Sequence, residues 1–527
     1  MATTANRVFS LLAVVLASCL AIIGSHRLDR EPPRRTPTKN ADETQREISA
    51  QVDQALCDAW QSRPTSQADT LLISRRLSLA LVGSIPSLEE IRWIEARPGG
   101  SALDDWTDRL LEDPRFNDYF AERLARAFVP SLPAQLFFTY RRNRFVSWLS
   151  DQMARRPPYD RMVWEMLTAE GVWMDKPAVN FVTSHERDPV LLAGRTTRAF
   201  LGLRLDCAQC HDHPFARWKQ SDFRGLAAFF SETQLGFFGV RDEPSPYRVS
   251  EEDGMVGEII EPVVPFDPSL DPARGRKRER LANWVISPSN PFFAKAAVNR
   301  FWTLLIGDPL TAAVDDLESP EKVPDVLDIL ADDFRDQGHD LRRLIRNITA
   351  TAAFRAKSEF HSPEQPADHP PFRSFPVRRL RSDQLAGSIL QSSQLQTMNG
   401  GEHWIFRFVA FIDRFNFVEE FGDRKDEELE PASGNLPQRL LMMNGNVVND
   451  RGNRNLFSTF RRLSAFSPSD EKCVETAYLV CLTRRPDPEE LEKFSAMLKS
   501  TAGKQREQVV ADMLWSLVNS TEFAWNH

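Results

Sequence analysis

Six cysteines in 527 residues are too few to staple a fold. Disulfide scaffolds need many pairable thiols. Cys473 and Cys481 lie eight residues apart on a helical pattern, about 12 Å of helix and beyond disulfide reach. Both therefore read as core, with Ala477 between them on the same face. Cys57 stands alone in a helical segment from Glu47 to Gln61 and reads as buried. Positive charge is also in short supply: 66 Lys and Arg face 74 Asp and Glu, a net charge of -8. That balance excludes nucleic acid as the main partner, because phosphate neutralisation needs a basic face. The signatures of serine hydrolases, phosphate-binding loops, dinucleotide folds and sulfatases are missing, so no catalytic residue is assigned.

What is present is enough for more than one core, with 42% apolar and 27% charged residues. Arg7 precedes the apolar run Val8–Gly24, which reads as a membrane anchor or a cleaved signal within residues 1–28. Leu16-Ala17-Ser18-Cys19 also fits a lipoprotein site at Cys19. Each version exports the rest of the chain to the periplasm or cell envelope and makes the membrane a partner of this segment. Residues 29–47 are a polar tether. Residues 48–265 and 272–527 read as two helical domains. The expected fold is mainly α, a multi-helical two-domain protein with a short irregular, β-containing segment between the helical parts. Arg75–Val82 reads as a helix stopped at Gly83. Ser87 with Glu89-Glu90 forms a capping box for the next helix. Glu258–Val264 reads as a short strand, and His361–Pro371 as a linker. A faint echo joins Ile85-Pro86-Ser87-Leu88-Glu89-Glu90 to Arg485-Pro486-Asp487-Pro488-Glu489-Glu490, either a duplication or shared helix-turn-helix grammar.

The chemistry concentrates at Cys207-Ala208-Gln209-Cys210-His211. Two thiols three positions apart can each form a thioether to one porphyrin vinyl group, with the adjacent imidazole placed under the iron. Cys207, Cys210 and His211 are thus candidate attachment points and proximal ligand of a c-type haem. The protein would then transfer electrons or serve as redox partner of another envelope protein. Met255, Met174 and His185 are candidate distal ligands. Phe215, Trp218, Phe223, Phe229 and Phe230 could wall a porphyrin pocket, although ordinary core packing explains them as well. Two other readings make the protein an envelope binding or scaffold protein. Cys207, Cys210, His211 and His213 match zinc in number and type, or Cys207 and Cys210 form a disulfide or redox-active dithiol.

Other polar groups read as structural. Asp315-Asp316 and Asp332-Asp333 suit solvated faces or caps. Arg300, inside an apolar helix beside Trp302, needs a partner, for which Asp315 and Asp316 are candidates. The basic run Arg274–Arg280 reads as a solvated helix start.

Phe200-Leu201-Gly202-Leu203-Arg204 running into the Cys207–Phe215 stretch, then Trp218 and Gly225–Phe230, resembles the planctomycete "cytochrome type 2" domain, DUF1549. Leu281-Ala282-Asn283-Trp284, Val298-Asn299-Arg300-Phe301-Trp302, Gln438–Asn444 and Leu514–Phe523 resemble its usual companion, DUF1553. The resemblance implies an exported, mostly helical protein and names no activity. The chain departs from the usual pattern at Arg123-Leu124-Ala125-Arg126, where acidic and tyrosine members are replaced.

Overall fold

Asp69 starts a largely buried helix by accepting the Leu71 N–H at 2.8 Å, and Gly83 ends it in the left-handed region at φ 66°. That helix, Thr70–Val82, carries one of two hydrophobic cores through Leu77 and Leu81, and the other through Leu79. The computed structural model describes residues 39–61, 65–97, 101–129, 142–212, 217–236, 239–249, 257–271, 274–319, 321–359, 370–397 and 457–527. The apolar run of residues 8–24, Cys19, residues 361–369 of the linker and the 438–444 motif lie outside them. The chain forms two units, Met1–Asp42 and Glu43–His527, of which the second is the helical body.

Twenty α-helices occur among the described residues. We label them α1 (Lys39–Trp60), α2 (Thr70–Val82), α3 (Leu88–Glu95), α4 (Ala102–Glu112), α5 (Pro114–Phe128), α6 (Arg142–Arg155), α7 (Tyr159–Thr168), α8 (Asn180–Ser184), α9 (Pro189–Thr196) and α10 (Gln220–Ala227). After a stretch of short strands follow α11 (Lys277–Val285), α12 (Phe293–Ile306), α13 (Pro324–Asp336), α14 (Leu341–Ala350), α15 (Ala352–Arg355) and α16 (Ser382–Ser392). The last four are α17 (Phe457–Phe466), α18 (Asp470–Leu482), α19 (Pro488–Lys499) and α20 (Gly503–Val518). Strands β1 (Thr233–Gly236) with β2 (Gly239–Asp242), β3 (Tyr247–Arg248) with β4 (Ile259–Ile260), and β5 (Arg378–Arg379) with β6 (Trp525–Asn526) make three antiparallel pairs. The fold is therefore mainly α. The strand expected over Glu258–Val264 shrinks to Ile259–Ile260.

The larger core runs from Val52 on α1 to Phe375 and takes in Leu479 of α18; within it Phe301 of α12 stacks on Phe120 of α5 at 5.7 Å. The smaller core joins Leu79 and Ile85 to Tyr478, Leu482, Leu514 and Phe523. Cys473 and Cys481 are buried there as expected, whereas Cys57 is only half-buried.

The sequence echo has a structural counterpart. α2 and α18 are both 13 residues long, with caps Asp69 and Ser469, and each ends in a left-handed residue, Gly83 or Thr483. Capping boxes then open α3 at Ser87/Glu90 and α19 at Asp487/Glu490. Burial along these helices forces several arginines inward, where carbonyls at element ends receive them. Arg75 donates to the Cys481 and Phe523 carbonyls, at 3.2 and 3.0 Å.

Candidate functional site

The CxxCH stretch is placed by the elements on either side of it. α9 continues into a π-helical turn, Thr197–Leu201, a geometry that proteins keep mostly at functional positions. Gly202 closes that turn at φ 61°, and a Cβ there would stand 2.8 Å from Leu317 Cγ. A side chain would therefore be both strained and crowded. The chain then makes a 3-10 turn, Leu205–Ala208, packed on α9 and α10. Leu205 and Ala208 point into the core, while Cys207, Cys210 and His211 face solvent.

Ion pairs hold the turn in register. Arg198 grips Asp206 through Nε and Nη2, at 2.9 and 2.6 Å. Arg204 reaches Asp315 through the same two nitrogens, at 3.1 and 2.7 Å, and Arg198 Nη1 meets the other Asp315 oxygen at 3.4 Å. Burial acts to lower the Arg198 pKa, but Asp206 and Asp315 against it hold it above its ordinary value. On the far side Gln220, the first residue of α10, donates its Nε2 to the carbonyls of Cys210 and Gln209, at 2.7 and 3.2 Å. Its own N–H goes to Asp212 Oδ1 at 2.9 Å. These clamps escaped the sequence reading. Arg198, Arg204 and Asp206 flank the thiols closely enough to raise suspicion, but nothing local points to Asp315, more than a hundred residues on.

Both thiols are free. His211 Nδ1 lies 2.7 Å from the Asp212 carbonyl, the contact of an N–H donor, so in the neutral ring the lone pair is on Nε2. Ligating histidines are oriented in this way. Among the described residues no three His, Cys, Asp or Glu side chains gather around a common point as metal ligands. His213 and Phe215 lie outside the described residues, as does Met255.

The other candidates fall elsewhere. Trp218, Phe223, Phe229 and Phe230 are sealed in the large core, so core packing accounts for them. Met174 is 64% exposed. His185 is buried, with Nδ1 2.7 Å from the Phe181 carbonyl and Nε2 unpartnered, and desolvation brings its pKa down to about 4. Among the described residues no hydrogen bond or ring contact joins it to the motif.

Three further expectations are corrected. Arg300 donates to the Ala199 and Arg198 carbonyls, because the π turn leaves carbonyls to satisfy, and Asp315 serves Arg198 and Arg204 instead. Asp333 is no solvated face: it is buried and receives Arg343 at 2.7 Å and Asn347 at 2.7 Å. The basic run is not wholly solvated either. Arg278 is 1% exposed, pairs with Asp242 at 2.7 Å, and donates to the Leu167 and Ala169 carbonyls.

Residues 47–235 match the model of PSCyt2, a protein of unknown function (DUF1549). Residues 277–498 match that of PSD1, a protein of unknown function (DUF1553). The chain carries the DUF1549–DUF1553 pair. No curated protein and no solved structure matches it. The pair shares one core: α12 of the DUF1553 part packs on α2 and on the π turn of the DUF1549 part. The Asp315 clamp therefore reaches the DUF1549 motif from the DUF1553 side. Among the described residues no helix is long and apolar enough to cross a membrane.

Proposed function

We propose that Cys207 and Cys210 carry a covalently attached c-type haem with His211 as proximal ligand, and that the protein passes electrons to or from a partner in the cell envelope. The observation that carries this reading is the state of the three side chains. Two free thiols face solvent, next to an imidazole whose Nδ1 is tied to the Asp212 carbonyl and whose Nε2 carries the lone pair in the neutral ring. Thioether formation needs accessible thiols, and iron ligation needs the unprotonated nitrogen. A bound haem supplies one-electron chemistry. The chain's own part is to fix the turn, through Arg198–Asp206 on one side and Gln220 on the other, so that thiols and imidazole stay presented together. A single-ion site asks its donors to converge, and among the described residues Cys207, Cys210 and His211 form no such cluster.

The apolar run Val8–Gly24 supports an envelope location, the compartment in which such motifs are loaded. The deciding experiment is a pyridine haemochrome spectrum with a haem-stained denaturing gel, on protein from a cytochrome c-maturing host. The expected result is a haem band that survives denaturation and disappears in Cys207→Ala/Cys210→Ala. Colourless protein would overturn the reading and leave the turn to a scaffold role.

A further inference from the structure

The strand pairs beyond α10 hold a second site, independent of the thiols. Gly236 of β1 lies opposite Gly239 of β2, and Leu235 opposite Val240. Val240 spends both main-chain groups on Gly171, each bond 2.8 Å long. Those groups point away from β1, so in an antiparallel ladder the groups of Leu235 point away from β2. Thr233, two residues earlier, shares that parity. The Glu243 N–H donating to the Glu232 carbonyl at 2.8 Å fits the same alternation. Thr233, buried, and Leu235, exposed, thus turn N–H and C=O away from β2, and among the described residues no main-chain group takes them.

β3 repeats the situation. The Val249 N–H donates to the Glu258 carbonyl at 3.3 Å, so Arg248, opposite Ile259, turns its main-chain groups outward. A cleft of about 390 Å³ is lined by Thr233 and Gln234 of β1, by Tyr247 and Arg248 of β3, and by Glu186 and Arg187 after α8. Neither β2 nor β4 lines it, so the cleft lies on the open-edge side of both hairpins.

Two further features point to a ligand. Thr233 is 4% exposed, yet its Oγ1 has no partner. Glu186 and Arg187 both hold left-handed backbone, at φ 56° and 60°, a strain that proteins tolerate mostly at working surfaces. Two guanidinium groups against one carboxylate favour acidic side chains in the occupant, and the exposed Leu235, next in sequence to the lining residue Gln234, favours apolar ones.

We propose that this cleft binds an extended, alternately acidic and apolar peptide segment of a partner protein by strand addition to β1. At about 3.3 Å per residue, β1 pairs with roughly four residues of such a segment. Whether Cys207 carries haem does not enter.

The test is fluorescence polarisation of the whole chain with labelled acetyl-Val-Glu-Val-Glu-Val-amide. Saturable binding is expected, weakened at least about tenfold, or about 1.4 kcal/mol, when alternate peptide nitrogens are methylated. Leu235→Pro should abolish it, since the lost N–H lies on the β1 edge turned away from β2 and β1–β2 pairing does not use it. Leu235→Ala, which keeps that N–H, should bind within about threefold of the parent and controls for folding. Replacing Glu by Lys in the probe should weaken binding. Equal binding of the methylated probe, or no saturation up to about 1 mM, would overturn the proposal.

Discussion

Thr483 occupies in the second helical repeat the place that Gly83 holds in the first, with nearly the same backbone: φ 58°, ψ 28° against φ 66°, ψ 27°. Glycine takes that conformation freely, whereas a β-branched residue pays about 1–2 kcal/mol. Thr483 is fully buried and its Oγ1 has no partner, which adds about 1 kcal/mol. Thr483→Gly relieves both. It gives up about 1 kcal/mol of buried side chain and about 0.5–1 kcal/mol of chain entropy. The balance favours glycine by about 0.5–1 kcal/mol. Native-state hydrogen exchange across the end of α18 and the start of α19 reads this directly, and amides there should exchange about two- to fivefold more slowly. The reciprocal Gly83→Thr should speed exchange at the end of α2 by at least as much. Unchanged or faster exchange in Thr483→Gly would show that Thr483 is not strained and that its hydroxyl is satisfied.

Asp53 of α1 caps α15 by accepting the Ala352 N–H at 2.7 Å, and burial pushes its pKa up to about 6. A carboxyl raised in the folded state costs stability above pH 6 and stops costing it as pH falls towards its unfolded value near 4. Asp53→Asn, which keeps the acceptor, should therefore raise the unfolding free energy at pH 7.5 by up to about 2–3 kcal/mol, read as a higher urea midpoint. It should flatten the pH dependence between 4 and 6, and an unchanged profile would contradict the assignment. Asp242→Ala leaves Arg278 buried without its carboxylate and should cost about 3–5 kcal/mol, mostly recovered in Arg278→Met/Asp242→Leu; a loss below about 1 kcal/mol would mean that the carbonyls alone satisfy Arg278. Asp315→Asn removes partly exposed pairs and should cost at most about 1 kcal/mol globally. The same change should accelerate exchange of the amides from Leu203 to Cys210, and unchanged exchange there would show that the clamp does not order the turn.

Local rules carried most of what was legible. Gly83, Ser87 and Glu90 signal their helix ends within a few residues and the structure uses each as a cap, whereas the start of α2 at Thr70, capped by Asp69 and five residues before the expected one, was not read. Cys473 and Cys481 were readable as core because their spacing fits one helix face. The misreadings concern burial that only tertiary structure decides. Arg278 and Asp333 look like surface charge in sequence, and each is buried because a partner on another element receives it. Arg300 was rightly expected to need partners, but those are carbonyls of a π turn, which no periodicity announces. At the candidate site the thiols and imidazole were plain in the sequence. Their clamp was not, since Asp315 approaches from the other half of the pair. The peptide cleft left no motif at all, because hydrogen-bond parity at a strand edge is a property of pairing.

Arg75 has a consequence for the order of events in folding. Its guanidinium is enclosed, and the carbonyls that receive it lie 406 and 448 positions further along the chain. Until α18 and the segment around Phe523 arrive, α2 holds a cation that its own neighbourhood cannot satisfy. The early helices can form, but their outer face must stay wet, because closing it early would strand a charge in an apolar medium. Completion of the smaller core is thus deferred to the last stretch of chain, and such long-range closure is slow. A ribosome-bound chain would remain open on that side, a state in which chaperones can still hold it.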